Sequence, residues 1–412
     1  MQPSLHLFEA IGIELEYMIV DTETLDVRPV ADALLAREAG APVMSLERGS
    51  IAWSNELALH VIELKTNGPT TDLARAAVDF QADVRAASAH LSALGARLLP
   101  TGMHPWMDPH RELRLWPHDD DVIYATFHRI FDCRGHGWAN LQSMHVNLPF
   151  CGDDEFGRLH AAVRLVLPLL PALAASSPLA DGRFSGSADT RLVHYATNAR
   201  RIPSVSGRII PEPVFTHEAY QRLLHGIYRD LEPHDPDEVL REEWVNARGA
   251  IARFDRDTIE IRVLDTQECP RADLTIAALV VDVVERLTAR ASNEPALYAW
   301  SEDRLARVLA GCVQAGDESV IDDREYVELL IGTVTEPLTA LEVWRRLADG
   351  SRRTWTNDEG RNLDQLLTEG CLAHRIRRRL GPQPTRADLR ELYGELAECL
   401  LEGRLFSAPS RP

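Results

Sequence analysis

Alternating apolar and polar positions predict β-strands in the first 290 residues of the chain. The alternation covers residues 8–21, 56–66, 140–150 and 250–265, and the last stretch reads as two strands joined by the turn "DRD". Residues 70–98 and about 153–175 repeat apolar positions at helical spacing instead. The pattern is helical again from residue 271 onward. We expect an α+β catalytic core over residues 1–290, with a helical region over 291–412 packed on it.

Composition and charge narrow the class of protein. The chain has 412 residues, 45% hydrophobic and 26% charged, with a net charge of −19, which is typical of a globular protein without a nucleic-acid partner. The longest apolar run, residues 274–284, is too short for a bilayer span, and the first residues carry no secretory pattern. Six cysteines without C-x-x-C spacing indicate free thiols. We therefore expect a cytoplasmic protein with no membrane partner.

Four of the predicted strands carry an unusual polar face. Side chains two residues apart in a strand point to the same face. The pairs that share a face in this way are Glu14 and Glu16, Glu63 and Lys65, His145 and Asn147, and Glu260 and Arg262. Lys65 is the only lysine in the chain. Carboxylates gathered on one sheet face repel each other unless a cation lies between them.

This combination of residue types indicates a metal and phosphate site. Carboxylate oxygens with an occasional imidazole suit Mg²⁺ or Mn²⁺, and arginines beside them can hold phosphate groups. The chain has no G-x-x-x-x-G-K phosphate loop. ATP would therefore bind through metals and arginines on a sheet. Glu56 is a weaker candidate, because seven residues separate it from Glu63 and an ideal strand would turn the two to opposite faces.

Each of these signals has an ordinary structural explanation when taken alone. Two glutamates in G-x-E-x-E can be solvated residues of an edge strand, His145 can be a structural histidine, and Glu260 with Arg262 can be a simple ion pair. The loop "ASSPLADG" at 175–182 can be a capping turn or a ligand-binding loop. The histidines between residues 104 and 145 lack the spacing of a zinc motif. The agreement of four strands favours the functional interpretation.

Six motifs occur in an order that matches a known family. They are "GIELE", "VIELKTNGP", "TGMHP", "MHVN", "LPLLPALAASSPLADG" and "TIEIRVLD", spread over about residues 8–290. The chain resembles the glutamate–cysteine ligases of the bacterial second type, the carboxylate–amine ligase group, which is distantly related to glutamine synthetase. The resemblance implies a curved antiparallel sheet that forms a funnel for ATP and Mg²⁺ (or Mn²⁺), flanked by helices.

The resemblance also implies roles for individual residues. The metal ligands would be Glu14, Glu16, Glu63, His145 and Glu260. Arg262 would contact the phosphates or the transferred phosphoryl group, with Arg253 as a further candidate, and the residues lining the site would be Glu56, Lys65 and Asn147. The substrate segment would include Ser176, Ser177 and Arg191. Ser143 stands where family members often have a histidine, and "GSADTRLVHY" departs from the usual substrate segment.

The predicted function is that of an ATP-dependent ligase. It would convert a carboxylate, first of all the γ-carboxylate of glutamate, to an acyl phosphate, which an amine such as cysteine attacks to form an amide. The partners would be small molecules, an amino-acid carboxylate and an amine, while homo-oligomer formation stays open. Two alternatives remain: a phosphotransferase of related fold resembling guanidino kinases, and a catalytically silent protein that binds ATP as a scaffold.

Overall fold

The computed structural model of the chain describes residues 5–119 and 121–408. Its strands, in chain order, are β1 (Gly12–Asp21), β2 (Ser45–Arg48), β3 (Ile51–Asn55), β4 (Val61–Thr66), β5 (Ala96–Leu99), β6 (Ser143–Pro149), β7 (Leu179–Ala180), β8 (Arg183–Phe184), β9 (Ala250–Arg253), β10 (Thr258–Asp265), β11 (Val320–Ile321) and β12 (Leu338–Thr339).

Helices connect these strands and make up the last third of the chain. They are α1 (Ala31–Ala39), α2 (Leu73–Ser92), α3 (Pro109–Glu112), α4 (Asp121–Phe131), α5 (His136–Ala139), α6 (Gly152–Val166), α7 (Leu170–Ala174), α8 (Thr190–Tyr195), α9 (His217–Leu231), α10 (Pro270–Ala291), α11 (Glu302–Ala315), α12 (Arg324–Ile331), α13 (Ala340–Asp349), α14 (Asn357–Glu369), α15 (Leu372–Leu380) and α16 (Arg386–Glu402).

One antiparallel sheet of eight strands organises the fold. Its order is β2-β3-β4-β1-β6-β10-β9, and β5 pairs with the second half of β1. The long strand β1 therefore lies at the centre, with β4 on one side and β6 on the other along its first half. This arrangement confirms an antiparallel sheet flanked by helices, and the funnel shape stays a prediction.

The chain between β3 and β4 differs from the strand predicted over residues 56–66. Strand β3 ends at Asn55, residues 56–60 form a turn, and β4 begins at Val61. The two strands pair so that Ser54 lies opposite Glu63. Alternation alone could not locate this turn, because the apolar positions of "ELALHV" continue through it.

The helices begin and end where local sequence signals indicate. The Asp72 side chain accepts a hydrogen bond from the Arg75 backbone N–H at the start of α2, as an N-cap residue does. Between α6 and α7, residues 167–169 tighten into a 3₁₀ turn that contains Pro168, and Pro171 is the second residue of α7. Proline has no N–H to donate, so an unbroken α-helix does not form there.

The two faces of β1 pack against different parts of the protein. Ile13, Leu15 and the other odd-numbered residues up to Ile19 are fully buried in a large apolar core shared with α2, α6 and α10. On the opposite face, Met18 and Val20 pack in a second cluster with residues of α16. Glu14 and Glu16 lie on this second face, nearer the start of the strand.

The large apolar core contains residues before position 290, such as Leu15, and residues after it, namely Leu297, Trp344 and Leu400 among others. The division into a catalytic core and a helical region at that point stays a prediction. In the described ranges, residues Gly152–Ala174 are long and apolar enough to cross a membrane, and the most apolar 18-residue window within them is 94% buried inside the protein. The six cysteines are free thiols.

Candidate functional site

Strand pairing brings the predicted polar residues to one patch of the sheet. Glu14 lies opposite Lys65 on β4 and opposite His145 on β6. Glu16 lies opposite Glu63, and Glu260 on β10 lies opposite Asn147 on β6. The four strands β4, β1, β6 and β10 are consecutive in the sheet. The spacing of two residues within each strand and the antiparallel register between strands together create the patch.

His145 stands among three carboxylates at the centre of this patch. Its Nδ1 is 3.0 Å from Glu14 Oε2 and 3.8 Å from Glu260 Oε1, and its Nε2 is 4.0 Å from Glu16 Oε1. Burial lowers the pKa of His145, but the hydrogen bond to Glu14 and the three negative charges outweigh that effect and raise it to about 9. His145 therefore carries a proton at neutral pH. Asn147 Nδ2 donates to the other oxygen of Glu14 at 3.1 Å.

Ser143 completes a chain of hydrogen bonds between His145 and Glu16. Its hydroxyl lies 3.0 Å from His145 Nε2 and donates to Glu16 Oε2 at 3.1 Å, and its backbone N–H donates to the same oxygen at 2.7 Å. The sequence interpretation noted Ser143 only as a departure from the family. The signal that could have identified it is its position two residues before His145, on the same face of β6.

Glu63 and Lys65 form an ion pair on β4. Lys65 Nζ and Ser54 Oγ both donate to Glu63 Oε2, each at 2.5 Å. Burial and the negative charge of Glu14 raise the pKa of Glu63 to about 7, against the opposing effect of Lys65. Burial lowers the pKa of Lys65, but Glu63 and the neighbouring carboxylates outweigh this effect and raise the pKa above its usual value. The ammonium of Lys65 therefore stays charged.

Glu56 faces the same region although it lies outside the strands. The turn after β3 carries it to a cavity that Glu16 and His145 also line. The odd sequence separation between Glu56 and Glu63 therefore does not turn their side chains to opposite faces, because only Glu63 lies in strand β4. Burial and the charges of Glu16 and Glu63 raise the pKa of Glu56 well above its usual range. This carboxylate lies in a region with an excess of negative charge.

Two arginines approach Glu260 from neighbouring positions. Arg262 Nε donates to Glu260 Oε1 at 2.6 Å, and Arg253 Nη1 lies 3.8 Å from Glu260 Oε2. Asp255 holds Arg253 through two hydrogen bonds of 3.0 and 2.9 Å. The pairing of β10 with β6 is irregular between Ile261 and Leu264, so Arg262 lies in a bulge. Bulges of this kind redirect a side chain, and here Arg262 lines the cavity.

Ser176, Ser177 and Arg191 surround the buried carboxylate of Asp265. The Ser176 backbone N–H and the Ser177 hydroxyl donate to Asp265 Oδ2 at 2.8 and 2.7 Å, and Arg191 Nε donates to Oδ1 at 2.5 Å. Of the four predicted substrate residues, Glu56 and Arg191 line the cavity, whereas Ser176 and Ser177 do not. Both serine hydroxyls are buried and occupied by internal hydrogen bonds. Asp265 itself was not singled out in the sequence, although it ends the motif "TIEIRVLD".

The cavity beside the patch has a volume of about 260 Å³. Strands supply polar lining residues, including Glu16, His145 and Arg262. Segments outside the sheet supply aromatic residues, namely Phe127 of α4, Trp138 of α5 and Trp244. The aromatic residues gave no signal in the sequence, because Phe127 and Trp138 lie more than a hundred positions before Trp244 and no local pattern joins them. A polar sheet surface with an adjoining apolar cavity is an arrangement that can hold reacting groups next to an organic substrate.

The fold and the site define an α+β protein whose antiparallel sheet concentrates carboxylates, an imidazole and arginines beside a cavity. The model of glutamate-cysteine ligase family 2 matches residues 10–395 of the chain. The chain therefore belongs to glutamate-cysteine ligase family 2, a family named for a carbon–nitrogen ligase. This membership agrees with the resemblance found in the six motifs.

Two relatives illustrate the range of similarity. An uncharacterized protein of Archaeoglobus fulgidus is 31% identical over 396 residues, which are 96% of this chain and 100% of that protein. A protein of Salinispora arenicola named "Putative glutamate--cysteine ligase 2" is 29% identical over 282 residues, 68% of this chain and 65% of that protein.

Two solved structures share the fold. The glutamate–cysteine ligase of Francisella tularensis, solved in complex with AMP, has a TM-score of 0.59 at 12% identity, and the match covers 95% of this chain and 89% of that chain. A bifunctional glutathione synthetase of Pasteurella multocida has a TM-score of 0.56 at 15% identity, over 95% of this chain and 52% of that chain.

Proposed function

We propose that the protein is an ATP-dependent carboxylate–amine ligase. ATP phosphorylates a carboxylate, first of all the γ-carboxylate of glutamate, and the resulting acyl phosphate reacts with an amine. The new C–N bond replaces the C–O bond to phosphate, so the products are an amide, ADP and inorganic phosphate. Membership of glutamate-cysteine ligase family 2 supports the reaction class. The cytoplasm is the compartment that we propose for it.

The convergence of Glu14, Glu16, Glu63, His145 and Glu260 on four adjacent strands is the observation that carries this proposal. Four of the five are carboxylates, the ligand type that Mg²⁺ and Mn²⁺ prefer. Burial first, and then the negative charge of Glu14, raise the pKa of Glu63, and Lys65 only partly offsets these two effects. The protonated His145 lies among three of the carboxylates, at a position suited to positive charge. This donor set fits a divalent cation.

Each residue of the patch has a role in this proposal. Glu14, Glu16, Glu63 and Glu260 would hold the metal, joined by His145 once metal binding has displaced the proton from its imidazole, and the bound metal would neutralise charge on the phosphate oxygens. Arg262 contacts the transferred phosphoryl group with its guanidinium, and Arg253 supports Glu260 from the next strand. Lys65 and Asn147 hold Glu63 and Glu14 in place through hydrogen bonds. The rigid sheet then positions the reacting groups, which accounts for much of the expected rate.

Release of ADP tests the proposal directly. The protein is incubated with ATP, Mg²⁺ and amino acids, supplied singly and in pairs, and ADP, phosphate and amide are measured. We expect phosphate release that depends on both a carboxylate and an amine. ADP formed together with a phosphorylated product, with no dependence on a second substrate, would indicate a phosphotransferase. If calorimetry detects no Mg²⁺-dependent ATP binding, the ligase proposal is rejected. The alternative of a scaffold protein that binds ATP is then rejected as well.

Substitution of the metal ligands tests the site. Glu14→Gln and Glu260→Gln keep the shape of each side chain and remove its negative charge, so we expect each to lower turnover by about 10²–10³-fold. Measurement of the rate against Mg²⁺ concentration should show that the variants bind Mg²⁺ more weakly, because their rates saturate only at higher Mg²⁺ concentrations than the rate of the wild type. The control is Glu391→Gln, a carboxylate of α16 whose side chain is 71% exposed. Full turnover with normal Mg²⁺ dependence in both site variants would contradict the assigned metal site.

A further inference from the structure

The cavity beside the sheet contains an aromatic surface that the reaction chemistry does not use. Phe127 packs between two tryptophans, with ring centroids 5.2 Å from Trp138 and 5.8 Å from Trp244. All three rings are only partly buried, so part of each remains accessible from the cavity. An aromatic ring or another apolar group entering the cavity would bury apolar surface against them.

The aromatic surface is held in a fixed position. Trp138 Nε1 donates to the Asn198 carbonyl oxygen at 3.1 Å, and the Trp138 ring stacks on Phe131 at a centroid distance of 5.5 Å. The indole N–H is thus already satisfied, and the ring presents only carbon atoms to a ligand. A preformed apolar wall of this kind costs little conformational entropy when a ligand binds.

Polar atoms in the same cavity lack partners. Asn198 Nδ2 donates to the Gly137 carbonyl oxygen, while Asn198 Oδ1 is buried without a hydrogen-bond partner among the described residues. The Glu56 carboxylate accepts one long hydrogen bond, at 3.4 Å from the Leu57 N–H, and forms no ion pair with any residue in the described ranges. Asn198 Oδ1 is a hydrogen-bond acceptor, and the Glu56 carboxyl accepts hydrogen bonds in its ionised form, which a neighbouring positive charge favours. A ligand that donates hydrogen bonds and carries positive charge would satisfy them.

We propose that this cavity binds the amine substrate and selects an amine that carries an aromatic or bulky apolar group. This inference rests on the proposed ligase function. The ammonium would contact Glu56 and Asn198 Oδ1, and the apolar group would contact Phe127, Trp138 and Trp244. The volume of about 260 Å³ lies just below the ~300–1,000 Å³ typical of drug-sized ligands, which suits a molecule the size of an aromatic amine.

Direct binding tests this inference separately from turnover. Calorimetry compares phenethylamine and L-phenylalanine with L-cysteine, each added to the full chain in the presence of Mg²⁺. We expect at least about tenfold tighter binding of the aromatic amines, because a small polar side chain leaves the apolar wall uncovered. Equal or tighter binding of cysteine would overturn the inference. ADP release with the same compounds is measured in parallel, and its absence would count against the ligase function without affecting the binding result.

Variants locate the binding site. Trp244→Ala should weaken phenethylamine binding by at least about tenfold, while Trp244→Phe should retain most of it because the aromatic surface remains. The control is Trp355→Ala, since Trp355 is a partly buried tryptophan that packs on Arg353 and does not line the cavity. Unchanged binding in Trp244→Ala would show that the amine binds elsewhere. If that variant fails to fold, as thermal unfolding will reveal, Phe127→Leu provides the same comparison with a smaller change in volume.

Discussion

Gly102, in the motif "TGMHP", shows how one residue supports the site from behind. Its backbone N–H donates to the Ser176 hydroxyl at 2.7 Å. A Cβ added at Gly102 would lie 2.3 Å from Cγ of Asp265, which is closer than atoms can approach. Asp265 in turn holds Ser177 and Arg191. Close approach of the backbone to a buried carboxylate is therefore the physical reason for glycine at this position.

We expect Gly102→Ala to destabilise the protein by about 1–3 kcal/mol, because the methyl group forces Asp265 out of its hydrogen bonds. Denaturant unfolding measures the loss. The matched control is Gly135→Ala, since a Cβ at Gly135 meets nothing within 4 Å and its φ of −138° suits any residue. Equal stability of the two variants would contradict the close approach seen at Asp265.

At the scale of elements, α15 is joined to the end of α11 by a small buried cluster. Cys371 precedes the first residue of α15, and His374 lies one turn further. Asp317, in the turn after α11, accepts hydrogen bonds from His374 Nδ1 and from the Cys371 sulfur. Burial lowers the pKa of His374, but Cys371 and Asp317 outweigh this effect and raise it to about 10. The cluster therefore holds a proton that the unfolded chain would release near neutral pH.

This proton makes the contribution of the cluster dependent on pH. His374 in the folded protein keeps its proton up to about pH 10, whereas an unfolded histidine loses it near pH 6.5. The stabilisation is thus complete below about pH 6.5 and declines as the pH rises toward 10. We expect the free energy of unfolding of the wild type to fall between pH 6.5 and 9.5, and to fall less in His374→Gln. Denaturant titrations at both values measure the difference.

The control for the pH experiment is His225→Gln, because His225 is an exposed residue of α9. This variant should show the same fall in stability as the wild type. An identical fall in His374→Gln would mean that other groups cause the pH dependence.

At the scale of the whole molecule, a buried ion pair joins the helical region to the sheet. Arg375 of α15 and Glu268, three residues after β10, are both fully buried, and their closest atoms, Arg375 Nη1 and Glu268 Oε1, are 2.5 Å apart. The C-terminal segment is tied to the same pair, since the Phe406 N–H donates to Glu268 and the Phe406 carbonyl oxygen accepts from Arg375. The region after residue 290 and the strand that carries Glu260 thus share one buried contact.

We expect Arg375→Met to destabilise the protein by about 3–5 kcal/mol, because it leaves the Glu268 carboxylate buried without a counter-charge. The double variant Arg375→Met with Glu268→Leu should recover part of that loss, since no unpaired charge remains. Denaturant unfolding of the single and double variants measures both. A double variant less stable than Arg375→Met would contradict this explanation, because removal of the unpaired Glu268 charge should then have restored stability.

The sequence by itself determined the secondary structure of the central strands and the residues of the polar patch. Alternation with a period of two is a local property, so Glu14 with Glu16, Glu63 with Lys65, and Glu260 with Arg262 could be assigned to common faces before any contact was known. The six motifs determined the family for the same reason, because their order along the chain is visible without a fold.

The tertiary structure decided what depends on contacts between distant segments. The turn at residues 56–60 brings Glu56 to the cavity, and the sequence around it gave no sign of the turn. The hydroxyls of Ser176 and Ser177 are buried and donate hydrogen bonds to Thr266 and Asp265, contacts that the loop sequence alone did not indicate. The aromatic wall of the cavity unites residues more than a hundred positions apart. Such placements follow from packing, which no local pattern encodes.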